Sequence, residues 1–154
     1  MELVQEKYIH TEIGLLPSDW EVKKLEETSK IIGGGTPSTT NSKFWNGEIN
    51  WFTPTEIGKS KYSYESLRKL TLFGLENSSA RILPIGTILL TTRAGIGDVS
   101  ILKVEAATNQ GFQSFIVNKD ISNEYMYYLI STLKNVFLQN ASGSTFLEIS
   151  PNKL

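Results

Sequence analysis

Gly86-Thr-Ile-Leu-Leu-Thr-Thr92, Asp98-Val-Ser-Ile-Leu102 and Gly111-Phe-Gln-Ser-Phe-Ile-Val117 are three runs rich in β-branched or aromatic residues, bounded by Gly, Pro or Asn. Runs of this kind fit strands, and their close spacing predicts neighbouring, mostly antiparallel ones. The best helical pattern follows. Asn123 can cap it, and Tyr125, Tyr128, Leu129, Thr132, Leu133, Val136 and Phe137 recur at three- and four-residue intervals. The spacing predicts one helix over about 124–138, packed on the sheet with that stripe inward. The expected fold class is α/β of the α+β type: one domain with a twisted, mainly antiparallel sheet and flanking helices.

Working outward, Thr71 to Ser78 reads as a short helix capped by Thr71, and Glu48-Ile-Asn-Trp-Phe52 alternates like a strand. Gly33 to Ser42 is the longest stretch of turn formers and is expected to be an exposed loop. Gly14 to Trp20 is an entry loop, and Glu21 to Leu25 a short strand or helix lead-in. Downstream, Gly143 to Thr145 marks a turn. Ser150-Pro151 has the form of an N-cap with proline at the first helical position, as in a helix cut off at its start. There is no internal repeat.

The length of 154 residues suits one domain, and 40% hydrophobic with 20% charged residues excludes disordered and fibrous classes. Apolar runs fall far short of the ~20 residues that span a bilayer, and the charged opening Met1 to Lys7 lacks the apolar core of a secretory signal. With no cysteine there is no disulfide framework, thiolate metal site or cysteine nucleophile, and the lone His10 cannot build a zinc site of three or four protein ligands unless carboxylates dominate it. These features point to a cytoplasmic, cofactor-poor domain.

The net charge of −1 is unevenly spread. Residues 1–58 hold five Lys/Arg against nine Asp/Glu, residues 59–69 four against one, and residues 70–154 six of each. The basic segment, interleaved with Tyr62 and Tyr64, suits a phosphate backbone from which Lys and Arg displace condensed counterions. A solvated surface loop is the alternative.

Catalytic signatures are missing. The Gly33–Lys43 loop lacks the Gly-Lys-Ser/Thr ending of a P-loop, and Gly95-Ile-Gly97 has no third glycine at dinucleotide spacing. There is no Gly-x-Ser-x-Gly elbow, and one histidine gives a serine no credible base. Asp98, Glu105 and Glu148 make a weak case for paired carboxylates. The Asn/Asp-Pro-Pro-aromatic motif of amino-group methyltransferases is absent. What remains is polar: Asn, Gln, Ser, Thr, Arg and Lys, the side chains that bond base edges and phosphates, gather at Thr36–Lys43, Thr53–Lys69, Thr91–Arg93, Asn109-Gln110 and Ser142–Thr145. An ordinary polar surface has the same inventory.

The order of the loop motifs separates these readings. Ile13-Gly-Leu-Leu-Pro-Ser-Asp-Trp20, Gly34-Gly-Thr-Pro-Ser38, Gly47-Glu-Ile-Asn-Trp51, Leu83 to Asp98, Thr108-Asn-Gln-Gly-Phe112 and Ala141 to Ser150 stand in that order. Together they resemble the target-recognition domains of type I restriction-modification specificity subunits. Only residues 52–70, where that family varies with its DNA site, match no pattern. The resemblance implies a single recognition domain over 1–149 that reads one half of a bipartite double-stranded DNA site, with 150–154 opening a truncated spacer helix. It implies no catalysis and no cofactor in this chain. S-adenosylmethionine and ATP would belong to partner modification and restriction subunits, reached through spacer helices, and self-pairing of half-subunits would rebuild a bipartite reader. A recognition domain of a related type II methyltransferase-nuclease and a protein-interaction module without DNA binding remain the alternatives.

By chemistry, Lys59, Lys61, Arg68 and Lys69 suit phosphates. Thr36, Ser38, Thr39, Asn41 and Lys43 occupy a loop able to enter a groove. Arg93 suits either a guanine or a pairing with Asp98 inside the fold, and its place in a shared motif favours the structural role. Asn109 and Gln110 read as a structural turn. Tyr62 and Tyr64 fit packing better than stacking on DNA.

Overall fold

A computed structural model describes residues 7–93 and 95–141. In chain order they form β1 (Tyr8–Thr11), β2 (Gly14–Pro17), α1 (Leu25–Thr28), β3 (Ser29–Gly33), β4 (Trp45–Phe52), β5 (Tyr62–Ser63), β6 (Arg68–Leu70), α2 (Leu72–Glu76), β7 (Ile88–Thr91), β8 (Val99–Leu102), β9 (Ala106–Thr108), β10 (Phe112–Val117), α3 (Asn123–Ser131) and α4 (Lys134–Asn140). Single 3-10 turns lie at Ser42–Phe44 and Pro54–Glu56.

The three expected strands are β7, β8 and β10, and they pair as antiparallel neighbours. Phe112 faces Thr91 and Phe115 faces Ile88 across β10 and β7, while Ile88 faces Ile101 across β7 and β8. With β3 and β5 at its edges this sheet runs β3-β10-β7-β8-β5. All of β7 and β8 is buried, which is why they read as continuous apolar runs rather than alternating ones. Because side chains alternate, Ile88, Leu90, Val99, Ile101 and Phe115 share a cluster with Met126, Ile130 and Phe137 of the helices. Leu89, Leu102 and Phe112 join a second cluster with Ile32, Phe52, Ile57 and Leu83.

A three-stranded sheet, β6-β4-β9, carries a third cluster of Phe44, Trp45, Trp51, Leu70, Ala80 and Ala107. Here β4 extends the expected strand, and β9 was not foreseen, since Ala-Ala-Thr carries little strand propensity. The short helix α2 forms where expected, with Thr71 Oγ1 accepting the Gly74 amide at 3.0 Å.

Three expectations need correction. The single helix over 124–138 is two, α3 and α4, and its cap is Ser122, whose Oγ accepts the Tyr125 amide at 3.2 Å. The break falls where Ser131 and Thr132 hydroxyls donate back to the Tyr128 and Leu129 carbonyls, at 2.7 and 2.6 Å, in competition with the helix ladder. The inward stripe is also offset: Tyr125, Tyr128, Thr132 and Val136 are exposed, and Met126, Ile130 and Phe137 are the buried positions. Lastly, the glycine-rich loop is not wholly exposed, because Gly35 and Pro37 are buried. A Cβ on Gly34 would overlap the Asn109 carbonyl and Thr108, and one on Gly35 would overlap Ser79 and the Ala80 amide. These glycines allow close backbone approach rather than looseness. The Gly143–Thr145 turn and the Ser150-Pro151 helix start lie outside the described residues.

Candidate nucleic-acid interface

Strand directions gather the polar loops. Because β3 and β7 run antiparallel to β10, and β7 antiparallel to β8, the ends of β3 and β7 lie beside the starts of β10 and β8. β5 runs parallel to β8, so the segment entering β5 arrives at that same end. Hydrogen bonds tie the loops together: Gly35 N–H to the Thr108 carbonyl at 2.9 Å, Asn109 N–H to Phe52 at 3.0 Å, and Thr92 N–H to Gly111 at 2.9 Å. Gly58 packs against the Asp98 carboxylate, and Gly111 against Pro54. The result is one polar rim carrying Thr36, Thr53, Lys59, Arg93, Asn109 and Gln110.

The loop after β3 is braced from beneath. Trp51 Nε1 donates to the Gly35 carbonyl at 2.9 Å, and Trp45 Nε1 donates to the Ser38 carbonyl at 3.0 Å. Both indoles are buried and meet edge to face, their ring centroids 5.0 Å apart. Above them Ser38, Thr39 and Thr40 are exposed, with Ser38 Oγ and Thr40 Oγ1 3.0 Å apart. Asn41 is half-buried, and its Oδ1 accepts the Lys43 amide at 3.0 Å, which caps the 3-10 turn. Lys43 is exposed. Thr36 Oγ1 donates to Gln110 Oε1, linking this loop to the turn before β10. Asn109 has the turn role expected of it, with Oδ1 accepting the Gly111 amide at 2.8 Å.

The basic segment does not form one patch, because β5 and β6 belong to different sheets. Lys59 is exposed on the loop entering β5. Lys61 forms an ion pair with Glu124 of α3, donates to Tyr128 Oη at 3.1 Å, and lies over the Tyr128 ring at 4.5 Å. Tyr62 Oη donates to Glu124 Oε1 at 2.8 Å. The Lys61 hydrogen bond, followed by that of Tyr62, holds the Glu124 carboxyl below its ordinary range. The same contacts raise Lys61, chiefly through Glu124, and raise the Tyr62 phenol, again chiefly through Glu124. Tyr64 is exposed, its ring 6.4 Å from that of Tyr62. Tyr62 thus packs against α3 and fastens the β5 edge to it.

On the other sheet, Lys69 pairs with Glu65 at 2.6 Å. Arg68 is exposed and lays its guanidinium on the Trp45 ring, 3.8 Å from the centroid. Trp45 thus joins Arg68 to the Ser38–Lys43 loop. Arg93 is half-buried just beyond β7, and Asp98, its suggested partner, lies 3.6 Å from Lys134 Nζ. Among the described residues no group of three His, Cys, Asp or Glu could hold a metal, and no helix is long and apolar enough to cross a membrane. Sequence reasoning missed the bracing by Trp45 and the anchoring by Glu124. Both indoles belong to β4 and to the third cluster, and two tryptophans in one short segment were the available signal.

Residues 17–154 match the family described as the type I restriction modification DNA specificity domain. The chain belongs to this family. The MjaIX specificity subunit of Methanocaldococcus jannaschii is 41% identical over 96% of the chain, and the EcoR124I/EcoR124II specificity subunit of Escherichia coli 31% identical over 87%. The chain spans 35% of the length of each of these type I restriction enzyme subunits. The HsdS subunit structure from Thermoanaerobacter tengcongensis superposes with a TM-score of 0.65 over 96% of the chain and 37% of that protein, at 16% identity. A type I restriction-modification complex structure gives a TM-score of 0.67 over 90% of the chain and 33% of its counterpart, at 19% identity. The mixed α and β fold with predominantly antiparallel sheets is therefore the fold of this family's recognition domains.

Proposed function

We propose that this chain reads one half of a bipartite site in double-stranded DNA, as the recognition domain of a type I specificity subunit or half-subunit. The observation that carries the reading is the braced loop: exposed Ser38 and Thr39, with half-buried Asn41, stand on two buried indoles whose N–H groups hold the loop backbone. Side chains that hydrogen-bond base edges are thereby presented on a rigid support, which is what sequence discrimination requires. Thr36, Gln110 and Arg93 border the same rim, and Lys43 and Lys59, which have no ion pair among the described residues, supply cations for flanking phosphates. Lys61 and Lys69 reach phosphate only by leaving Glu124 and Glu65.

In this reading the recognition domain spans 1–149, and 150–154 begin a spacer helix. The chain is a non-catalytic, cytoplasmic component that directs modification and restriction subunits to DNA. S-adenosylmethionine and ATP are used by those partners, and two half-subunits can pair. A salt titration of duplex binding by fluorescence anisotropy tests the reading: affinity for DNA should fall steeply with salt. Absence of duplex affinity at low salt would favour a protein-interaction module instead.

A further inference from the structure

We propose that Arg68 is a base-reading residue, poised to take a guanine in the major groove through both arms of its guanidinium. The inference rests on the DNA-recognition reading above and deepens it, since the basic segment by itself assigns Arg68 to a phosphate.

Arg68 differs from the neighbouring cations in how it is held. Lys61 and Lys69 are each neutralised by a carboxylate. Among the described residues, none lies within ion-pair distance of Arg68. Two acids beside it are committed elsewhere: Glu65 to Lys69, and Glu56 to the Leu67 and Thr53 amides at 2.7 and 2.6 Å. What fixes Arg68 is an aromatic face. Its guanidinium lies 3.8 Å from the Trp45 ring centroid and 5.5 Å from that of Trp51. Stacking restrains the plane of the fork and leaves its N–H edge open, so less freedom is lost when two parallel hydrogen bonds form.

The backbone is arranged to make this stack. Pairing between β4 and β6 slips between Trp45 and Ile49, both of which face Leu70. Asn46, in the slipped segment, has φ 62°, the one non-glycine positive φ among the described residues. At Gly47 a Cβ would overlap the Leu70 carbonyl and crowd Thr71. A bulge of this type re-aims a side chain, and here it carries Trp45 under Arg68 while the indole N–H still reaches Ser38. Buried Ser66 secures the other strand, donating to the Arg68 carbonyl at 2.6 Å and accepting the Trp51 amide at 2.8 Å. One tryptophan therefore orients both the fork and the Ser38–Asn41 loop beside it. A planar guanidinium without a carboxylate partner among the described residues, on the same tryptophan as the loop that exposes the Ser38 and Thr39 hydroxyls, matches the paired N7 and O6 acceptors of guanine. A phosphate contact needs no such restraint.

The test begins with selection of duplexes from a random library by the full chain. Binding of the selected duplex and of its single-base-pair variants is then compared for wild type, Arg68→Lys and Arg68→Gln across a range of salt. Arg68→Lys keeps the charge but loses the fork, and as an exposed-site change its folding is checked by thermal melting. The expected result is that Arg68→Lys loses roughly 5- to 150-fold of discrimination at one G·C pair, while preferences elsewhere and the salt slope are kept. The proposal is overturned if Arg68→Lys keeps every base preference and Arg68→Gln weakens all duplexes alike, flattening the log–log slope by roughly 0.9; Arg68 would then be a phosphate contact. Should wild type itself select no sequence, the DNA reading fails and this assignment falls with it, a result recognisable before any substitution is made.

Discussion

Three lysines of the 59–69 segment should respond differently to the same change. Lys59 is exposed and has no ion pair among the described residues, whereas Lys61 is bonded to Glu124 and Lys69 to Glu65. A cation that neutralises one phosphate contributes roughly 0.9 to the log–log salt slope. Lys59→Gln should therefore flatten the slope by about 0.9. Between about 50 and 200 mM salt, wild type should lose about 3.5-fold more affinity than this variant. Lys61→Gln and Lys69→Gln remove charges already balanced inside the protein, so their slopes should match wild type. Anisotropy titrations on one duplex, run in parallel for all four proteins, measure this directly. Equal flattening by all three variants would refute the reasoning, because it would mean that both ion pairs open on DNA and that linear charge, not fold, sets the contacts. An unchanged slope for Lys59→Gln would remove the β5 edge from the DNA surface.

Other outcomes follow from packing and titration. Ile130, fully buried between α3 and the sheet, should cost about 2–5 kcal/mol when changed to Ala, whereas Tyr125→Ala, at an exposed position, should stay within about 0.5 kcal/mol; denaturant melts compare them. Gly35→Ala should destabilise by about 1–3 kcal/mol, since its Cβ meets Ser79 and the Ala80 backbone; the same melts read it, and an unchanged midpoint would argue against close approach there. The depressed Glu124 carboxyl contributes stability that is present above its ordinary value of 4.5 and is lost as pH falls through its lowered one. Glu124→Gln should accordingly flatten the acid limb of the stability profile. The raised Tyr62 phenol contributes below pH 10 and is lost as pH rises through its elevated value; Tyr62→Phe should delete a late-ionising phenol from the ultraviolet titration. Changes at Thr39 or Asn41 should shift base preference more than salt slope, with about 1–3 kcal/mol at stake for a true base contact.

How much could be read beforehand depended on whether the signal was local. Ile88 to Thr91, Val99 to Leu102 and Phe112 to Val117 declare strands through side-chain type, and the Thr71 cap is a local bond. The α3–α4 break was hidden because Ser131 and Thr132 fit a helical pattern until their hydroxyls turn back on it. Ala106 to Thr108 carries no strand signal of its own and becomes β9 by pairing with β4 in parallel. The candidate site was partly legible: the Thr36–Lys43 loop stands out by composition, yet its rigidity comes from Trp45 and Trp51, which lie in a separate strand. The basic run misled in a different way. Linear proximity placed Lys61 beside Arg68, while pairing assigned β5 to one sheet and β6 to the other, where Glu124 and Trp45 give the two residues unlike roles.

The central claim is that this fold discriminates among DNA sequences, and the ratio of specific to non-specific affinity tests it most directly. Duplexes selected from a random library by the wild-type chain should share a short motif. Competition against unselected duplex at fixed salt should show binding to that motif at least about 10³-fold tighter, the lower end for sequence-specific readers. Recovery of no common motif, with selected and unselected duplexes bound alike at every salt concentration, would contradict the account.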